Sequence, residues 1–278
     1  MGTSDHRLLD NQTPGKVYLC QVSEKISCGA CCGLYNINDA SFENLNEILL
    51  FRSDLFKDTK RDIDSILKFK SIIEEKENQE RPFEDFHHCP YVGYIKENCI
   101  GCLLHPLGDG NNGVDLRGLS YYGGFACSTY FCPTCHTLNP EYKKIIRLTA
   151  KDWHLYGIVI TEHKMLKNFF KSIEKRLKKQ IKSEMFENEL LKSLIQEFVD
   201  LKISWKFRKK RFKTLGNYFF EENIYPLKPI DYSKTDVENS EFNSIFMGLN
   251  SVFKSNNELL EANKIIEEII QKINFLLK

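Results

Sequence analysis

The chain has 278 residues, 42% of them hydrophobic and 28% charged, enough to bury a sizeable core without covalent staples and too apolar for wholesale disorder. Its 39 Lys and Arg against 38 Asp and Glu exclude a chain-wide field able to gather nucleic acid or an anionic membrane, so any such contact must come from a local patch. Met1 to Lys16 is polar where a signal peptide needs an apolar stretch, and nowhere do the roughly 18 uncharged apolar residues of a membrane span run together, so the expectation is a cytoplasmic protein.

In chain order, Cys20, Cys28, Cys31 and Cys32 come first. Periodicity then predicts a helix near Ser41 to Phe51 and another near Lys60 to Glu77, the second with Ile63, Ile66, Leu67 and Ile73 on one face. These form an insert, about residues 40–80, between two groups of cysteines. From Pro82 to Thr137 the composition turns to Gly, Pro, His, Tyr and Cys, and Gly108-Asp-Gly-Asn-Asn-Gly113 reads as a turn between short extended pieces. Cys89, Cys99, Cys102, Cys127, Cys132 and Cys135 lie here, and no cysteine follows.

Tyr142 to Ile160 is mixed in pattern, with a strand expected at Tyr156 to Ile160. Helical spacing predicts Glu162 to Gln180 and Glu184 to Ser204. Glu221 to Ser240, with Pro226 and Pro229, reads as a linker or long loop. Ser255 followed by Glu258 fits a capping box, and Leu259, Ala262, Ile266, Ile269, Ile273 and Leu276 make a short seam expected to dock on its own domain. The expected fold is mainly α. Residues 1–140 would form an irregular, metal-organised region with short strands, 141–220 a helical region, 221–240 the linker and 241–278 the C-terminal helices.

In a reducing compartment grouped cysteines argue for metal rather than disulfides. Cys28-Gly-Ala-Cys31, Cys99-Ile-Gly-Cys102 and Cys132-Pro-Thr-Cys135 each have the spacing that lets two thiolates reach one ion. Three such pairs are a strong signal where one would be weak. Cys32, next to Cys31, adds a case for more than one metal, since neighbours in extended backbone point to opposite faces. Ten cysteines saturate two tetrahedral sites with some left over. Spacing alone does not separate zinc from an iron–sulfur cluster; pure thiolate ligation, nearby glycines and the aromatics Tyr91, Tyr121, Tyr122, Phe125 and Tyr130 favour the cluster.

The run Cys20-x7-Cys28-x2-Cys31-Cys32-Gly33, with Cys89-Pro90-Tyr91, Cys99 ten residues on and His105-Pro106, resembles the cysteine-cluster family of zinc- or iron-chelating proteins, whose relatives include flagellin lysine N-methylases. His105-Pro106 stands where that family has Arg-Pro, and the first spacing is stretched. The resemblance covers Cys20 to Cys135 and implies metal binding through Cys20, Cys28, Cys31, Cys32, Cys89 and Cys99, with methyl transfer as an activity among relatives. The other four cysteines rest on spacing.

Rival readings attach to the same stretch. Cys132-Pro-Thr-Cys135-His136 matches c-type haem attachment, which needs export, and a thioredoxin-like pair, which needs a βαβ context. His87 and His88, and Asp152, His154, Glu162 and His163, could complete a non-haem iron site or supply a base, though scattered surface residues do the same by chance. Lys206-Phe-Arg-Lys-Lys-Arg-Phe-Lys213, preceded by Trp205, is the one basic aromatic run, a candidate patch for nucleic acid or an acidic protein, or simply a solvated helix end.

Overall fold

The structure is a computed structural model that describes residues 3–77, 81–82, 88–208 and 229–278. Among the described residues it is mainly α, with one two-stranded sheet. Helix α1 (Thr3–Gln12) leads into an irregular stretch that carries Cys20 to Cys32.

Helices α2 (Phe42–Lys57) and α3 (Ile63–Lys76) form the expected insert. Each begins where a side chain answers a free backbone donor: Ser41 Oγ accepts from Asn44 N, and Asp62 accepts from Ser65 N. Helix α3 buries Ile66, Phe69 and Ile73, while Ile63 and Leu67 of the expected face are exposed.

Strands β1 (Val92–Lys96) and β2 (Cys99–Cys102) pair antiparallel, with Val92 opposite Cys102 and Tyr94 opposite Ile100. Their turn is Glu97-Asn98, where Asn98 takes φ +59°, and not the glycine-rich stretch from Gly108 to Gly113. That stretch follows β2, and among the described residues no strand comes after it. It folds onto carbonyls instead: Asn111 Nδ2 donates to Leu103 O and His105 O, and Arg61 Nε donates to Asn111 Oδ1.

Two short helices follow, α4 (Gly123–Thr129) with Cys127 and α5 (Pro133–Thr137) with Cys135, and Cys132 immediately precedes α5. Helices α6 (Pro140–Thr149), α7 (Trp153–Ile160), α8 (His163–Leu177) and α9 (Glu189–Ser204) follow. The strand expected at Tyr156 to Ile160 is therefore helix. All eight residues of α7 are buried, so its sequence is apolar on every side, a pattern that does not distinguish a buried strand from a buried helix. Asp152 decides it by accepting from Leu155 N at the helix start.

After Ile230, turns lead to α10 (Asn243–Gly248) and α11 (Asn256–Leu277). Ser255 Oγ caps α11 through Glu258 N, but the Glu258 carboxylate accepts from Lys254 N, one residue earlier than a capping box requires. Leu259, Ala262, Ile266, Ile269 and Ile273 are buried, and α11 packs on α8 and α9, so the seam docks within the chain; Leu276 stays exposed.

One hydrophobic core runs from Val17 to Leu277 and crosses residue 140 without a break, so the cysteine-rich stretch and the later helices share it. Phe169 and Phe198 stack at 3.6 Å inside it. A second, smaller core gathers Phe56, Ile66, Phe69, Ile73, Cys89, Tyr91, Leu103 and Leu104. Each such buried side chain contributes about 1.5–3 kcal/mol. Cys32 packs against both cores.

Candidate metal centre

Backbone bonds fix where the thiols sit. Cys28 N donates to Cys20 O at 2.8 Å, closing the loop between them, and the following turn, Ala30–Cys32, is a single 3₁₀ turn. Gly33 ends it at φ +78°, a conformation that favours glycine. Cys89 N donates to Cys32 O at 2.8 Å, which draws the second stretch to the first. Cys102 lies at the end of β2. Cys132 is the residue before α5, and Cys135 N donates to its carbonyl at 2.9 Å.

The ten thiols are all free. Their mutual repulsion sorts nine of them into two groups. In the first, Cys31, Cys132 and Cys28 stand close enough to repel a Cys20 thiolate, Cys31 and Cys132 act on Cys28, and Cys132 and Cys20 act on Cys135. In the second, Cys89 and Cys102 act on Cys32, Cys127 acts on Cys89, and Cys89 and Cys127 act on Cys102. The groups overlap at the doublet: Cys31 acts on Cys32 more strongly than Cys89 or Cys102 does, and is also felt at Cys89.

The doublet divides for a different reason from the one its sequence suggests. Cys31 and Cys32 are in a tight turn, not in extended backbone, and the Cys32 thiol hydrogen-bonds the Cys31 sulfur, lowering Cys31 and raising Cys32. The two sulfurs are neighbours at the junction rather than on opposite faces.

Burial is the main force on most of these thiols. It pushes Cys89 up to about 11 and Cys102 up to about 12, and it raises Cys28 and Cys20, with sulfur neighbours adding to it. Packed thiols of this kind stay protonated at neutral pH unless a cation joins them, because a bound cation reverses both terms. Cys132 goes the other way, down to about 6, because Cys135 hydrogen-bonds to it and the backbone of α5 adds donors, while Cys135 rises. Their sulfurs are 4.0 Å apart, close to the roughly 3.8 Å that two 2.3 Å bonds to one tetrahedral ion impose. Among the described residues, which include all ten cysteines, no three His, Cys, Asp or Glu side chains stand together as a group able to hold a metal ion.

Each group has its own surroundings. Tyr18, Tyr130 and Tyr156 stand around the first; burial, then the nearby sulfurs, holds all three as neutral phenols. Lys143, fully buried, donates to Cys135 O at 2.9 Å and Gly15 O at 2.8 Å. Gly15 itself, at φ +70°, leaves no room for a side chain against Cys135 O. The second group has arginines. Arg117 is near Cys102 and Cys127. Arg52, from α2, is buried and donates to Cys89 O and Val92 O, each at 3.1 Å, and to Glu77 Oε1 at 2.7 Å, with His88 Nε2 at 2.7 Å.

Cys99 stands apart. Its sulfur lies 3.9 Å from Ser23 O, and burial raises it with help from Glu24 rather than from other thiols. The spacing of Cys99-Ile-Gly-Cys102 suggested a shared ion, but the pair lies in a strand, where residues three apart face opposite ways, so only Cys102 joins a group.

The other sequence candidates are engaged elsewhere. His136 is exposed on α5. Asp152 caps α7, His154 Nε2 meets Ala40 O at 2.7 Å, and Glu162 pairs with Lys202 in the core. Helical surroundings leave Cys132 and Cys135 without the βαβ setting of a thioredoxin-like pair. His87, and Lys209 to Lys213 with Phe212, lie outside the described residues. In the described part of the basic run, Trp205 and Phe207 are buried, Lys206 pairs with Glu261, and Arg208 donates to the carbonyls of Ile203 and Lys202 at the end of α9.

Arg52 and Lys143 are the residues that sequence reasoning missed. Both carry charges that are normally solvated, and no spacing marks either. Arg52 does fall at the buried period of α2 between Leu49 and Phe56, the one available signal. No helix among the described residues is long and apolar enough to cross a membrane. Comparisons of the chain with protein-family profiles, curated proteins and solved structures return no match.

Proposed function

We propose that this chain is a metal-binding protein with two thiolate centres that adjoin at Cys31-Cys32. The inner centre draws on Cys20, Cys28, Cys31, Cys132 and Cys135, and the outer on Cys32, Cys89, Cys102 and Cys127. The observation that carries the reading is that backbone bonds from Cys28 N to Cys20 O and from Cys89 N to Cys32 O, with the Cys132 and Cys135 sulfurs 4.0 Å apart, draw cysteines of separate stretches toward one another. A thiophilic cation would gather such thiols as thiolates, since its charge offsets both their burial and their mutual repulsion. The resemblance to the cysteine-cluster family implies ligation by five of these nine cysteines, without dividing them between centres, and by Cys99, which this reading leaves out.

Iron, as an iron–sulfur cluster, and zinc are the cations that all-thiolate ligation selects. The 4.0 Å between Cys132 and Cys135 supports both sulfurs on one ion, which a zinc centre or one iron of a two-iron cluster provides. The tyrosine shell and depth of the inner group support a shielded cluster.

Elemental analysis of anaerobically isolated protein, with its visible spectrum, tests this. A brown preparation identifies iron–sulfur and a colourless, zinc-containing one identifies zinc. Cys31→Ser should lose inner-centre metal, Cys32→Ser outer-centre metal, and Cys99→Ser neither. Protein free of both metals after isolation and reconstitution, or a Cys99→Ser loss equal to the other two, overturns the reading.

A further inference from the structure

Two cations of α6 hold the segment that precedes Val17. Lys143 and Arg147 are four residues apart and so share one face of that helix. Arg147 grips Asp10, near the end of α1, with both branches of its guanidinium: Nη1 donates to Oδ1 at 2.8 Å and Nη2 to Oδ2 at 3.0 Å. Nη1 also donates to Tyr18 O at 3.3 Å, and Tyr18 N donates to the same Asp10 Oδ1 at 2.7 Å, which closes residues 10–18 into a loop. One turn back along α6, Lys143 Nζ donates to Gly15 O in the middle of that loop and to Cys135 O on α5.

The loop itself buries little. From Leu8 to Lys16, Thr13 is the one buried residue, and Leu8 is 65% exposed. Its turn carries strain: Gly15 takes φ +70° and Lys16 φ +58°, a left-handed conformation that costs a lysine free energy. Yet it lies flat against α5, so close that a Cβ on Gly15 would meet Cys135 O at 2.2 Å and Lys143 Nζ at 2.6 Å. Beneath it Lys143 is fully buried, and just beyond it Val17 is anchored in the main core.

A segment that buries so little opens at low free-energy cost. What keeps this one shut is polar. The Asp10 and Arg147 side chains are 18% and 19% exposed, so salt reaches and screens the ion pair between them.

We infer that residues 3–16 form a strap, latched by Asp10 on Arg147 and hinged at Gly15-Lys16, that swings off α5 and α6 while the core stays folded. Closed, it seals Lys143 and the Cys135 turn from solvent. Open, it uncovers both, which makes it the gate to the Cys135 side of the first group of thiols. The inference stands on these contacts alone and holds whether or not the thiols take metal.

The test labels lysines in the full chain with limiting acetic anhydride and reads them by peptide mass spectrometry. Lys202, buried in the core on Glu162, is the internal reference. Asp10→Ala should raise acetylation of Lys143 by about tenfold or more, the factor that loss of a charge-assisted hydrogen-bonded pair gives, and leave Lys202 unchanged. Asp10→Asn, which keeps an acceptor for Tyr18 N but not the charge, should raise it less. Gly15→Ala should act as Asp10→Ala does, by unseating the turn from Cys135 O rather than by opening the latch. Raising salt from about 0.1 M to about 1 M should speed Lys143 labelling in the parent and not in Asp10→Ala. Equal Lys143 labelling in parent and Asp10→Ala overturns the inference. So does a rise at Lys143 that Lys202 matches, because strap and core would then open together. Elemental analysis of the parent decides the two-centre reading separately.

Discussion

Replacing Arg52 by methionine removes the group that joins α2 to the Cys89 stretch. Its side chain is 1% exposed and Glu77's is 9%, so the variant leaves a carboxylate in the interior without its cation. Breaking a buried pair this way costs about 3–5 kcal/mol. The Cys89 and Val92 carbonyls each lose a donor as well, at about 1 kcal/mol or more apiece where water cannot replace it. These terms overlap, and about 4–6 kcal/mol is the expected loss, a large share of the 5–15 kcal/mol that holds a typical domain. Arg52→Lys keeps the charge but not the fork that serves Glu77 and the carbonyls together, and should lose about half as much. Urea unfolding followed by fluorescence reports it directly, since Trp153 and Trp205 are both buried. The double variant Arg52→Met, Glu77→Gln removes both charges and should recover about 2 kcal/mol of the single variant's loss. An Arg52→Met protein that loses under about 1 kcal/mol would refute the assignment of Arg52 as the clamp of this stretch.

Two further outcomes follow from the packing around the inner group. Gly157→Ala should destabilise by about 1–3 kcal/mol even though alanine is the better helix former, because its Cβ would lie 1.7 Å from Oη of the fully buried Tyr35; a variant as stable as the parent in urea argues against that contact. Burial pushes Glu162 up to about 7, with Lys202 only partly offsetting it, so this carboxyl stabilises the fold while protonated: its contribution is complete below its unfolded value of about 4.5 and is lost as pH rises through about 7. Adjacent His163, driven down to about 4 by burial and by Lys164 and Lys167, runs the opposite way, with its contribution complete above about 6.5 and lost as pH falls through about 4. The stability of the parent minus that of Glu162→Gln should therefore fall by up to about 3 kcal/mol between pH 4.5 and 7.5, and a constant difference across that range would refute the burial argument.

What was legible in the sequence is what local rules decide. Ser41 and Ser255 announce helix starts, whereas α3 and α9 begin at Asp62 and Asn188, later than the expected Lys60 and Glu184; the periodic faces of α9 and α11 are buried except at Leu190 and Leu276. Helix α7 was not legible, because its apolar run erases the periodicity that separates helix from strand. Helices α4 to α6 open with Gly123, Pro133 and Pro140, which read as turn signals in a stretch already rich in glycine and cysteine. The division of the doublet was anticipated from a wrong local geometry, since the sulfurs part company through the tertiary placement of Cys20, Cys28 and Cys132 on one side and Cys89 and Cys102 on the other. Spacing in sequence could not exclude Cys99, because its isolation depends on β2 being a strand. Nor could it foresee that the helical insert, which separates two runs of cysteine along the chain, supplies through Arg52 the grip that brings them together.

In the two-centre reading proposed above, the two sets of thiols would be nested along the chain: Cys32, Cys89, Cys102 and Cys127 all fall between Cys31 and Cys132. An emerging polypeptide therefore offers the complete outer set before Cys132 or Cys135 has been made. Once Cys32 and Cys127 are tied to one ion, the path from Cys31 to Cys132 shortens from about a hundred residues to about six, which lowers the loop-closure entropy of the inner centre by about 2–3 kcal/mol. Filling from the inside of the nest outward along the chain is thus the easier route, and the centre nearer the surface of the folded molecule is the one that should be assembled first.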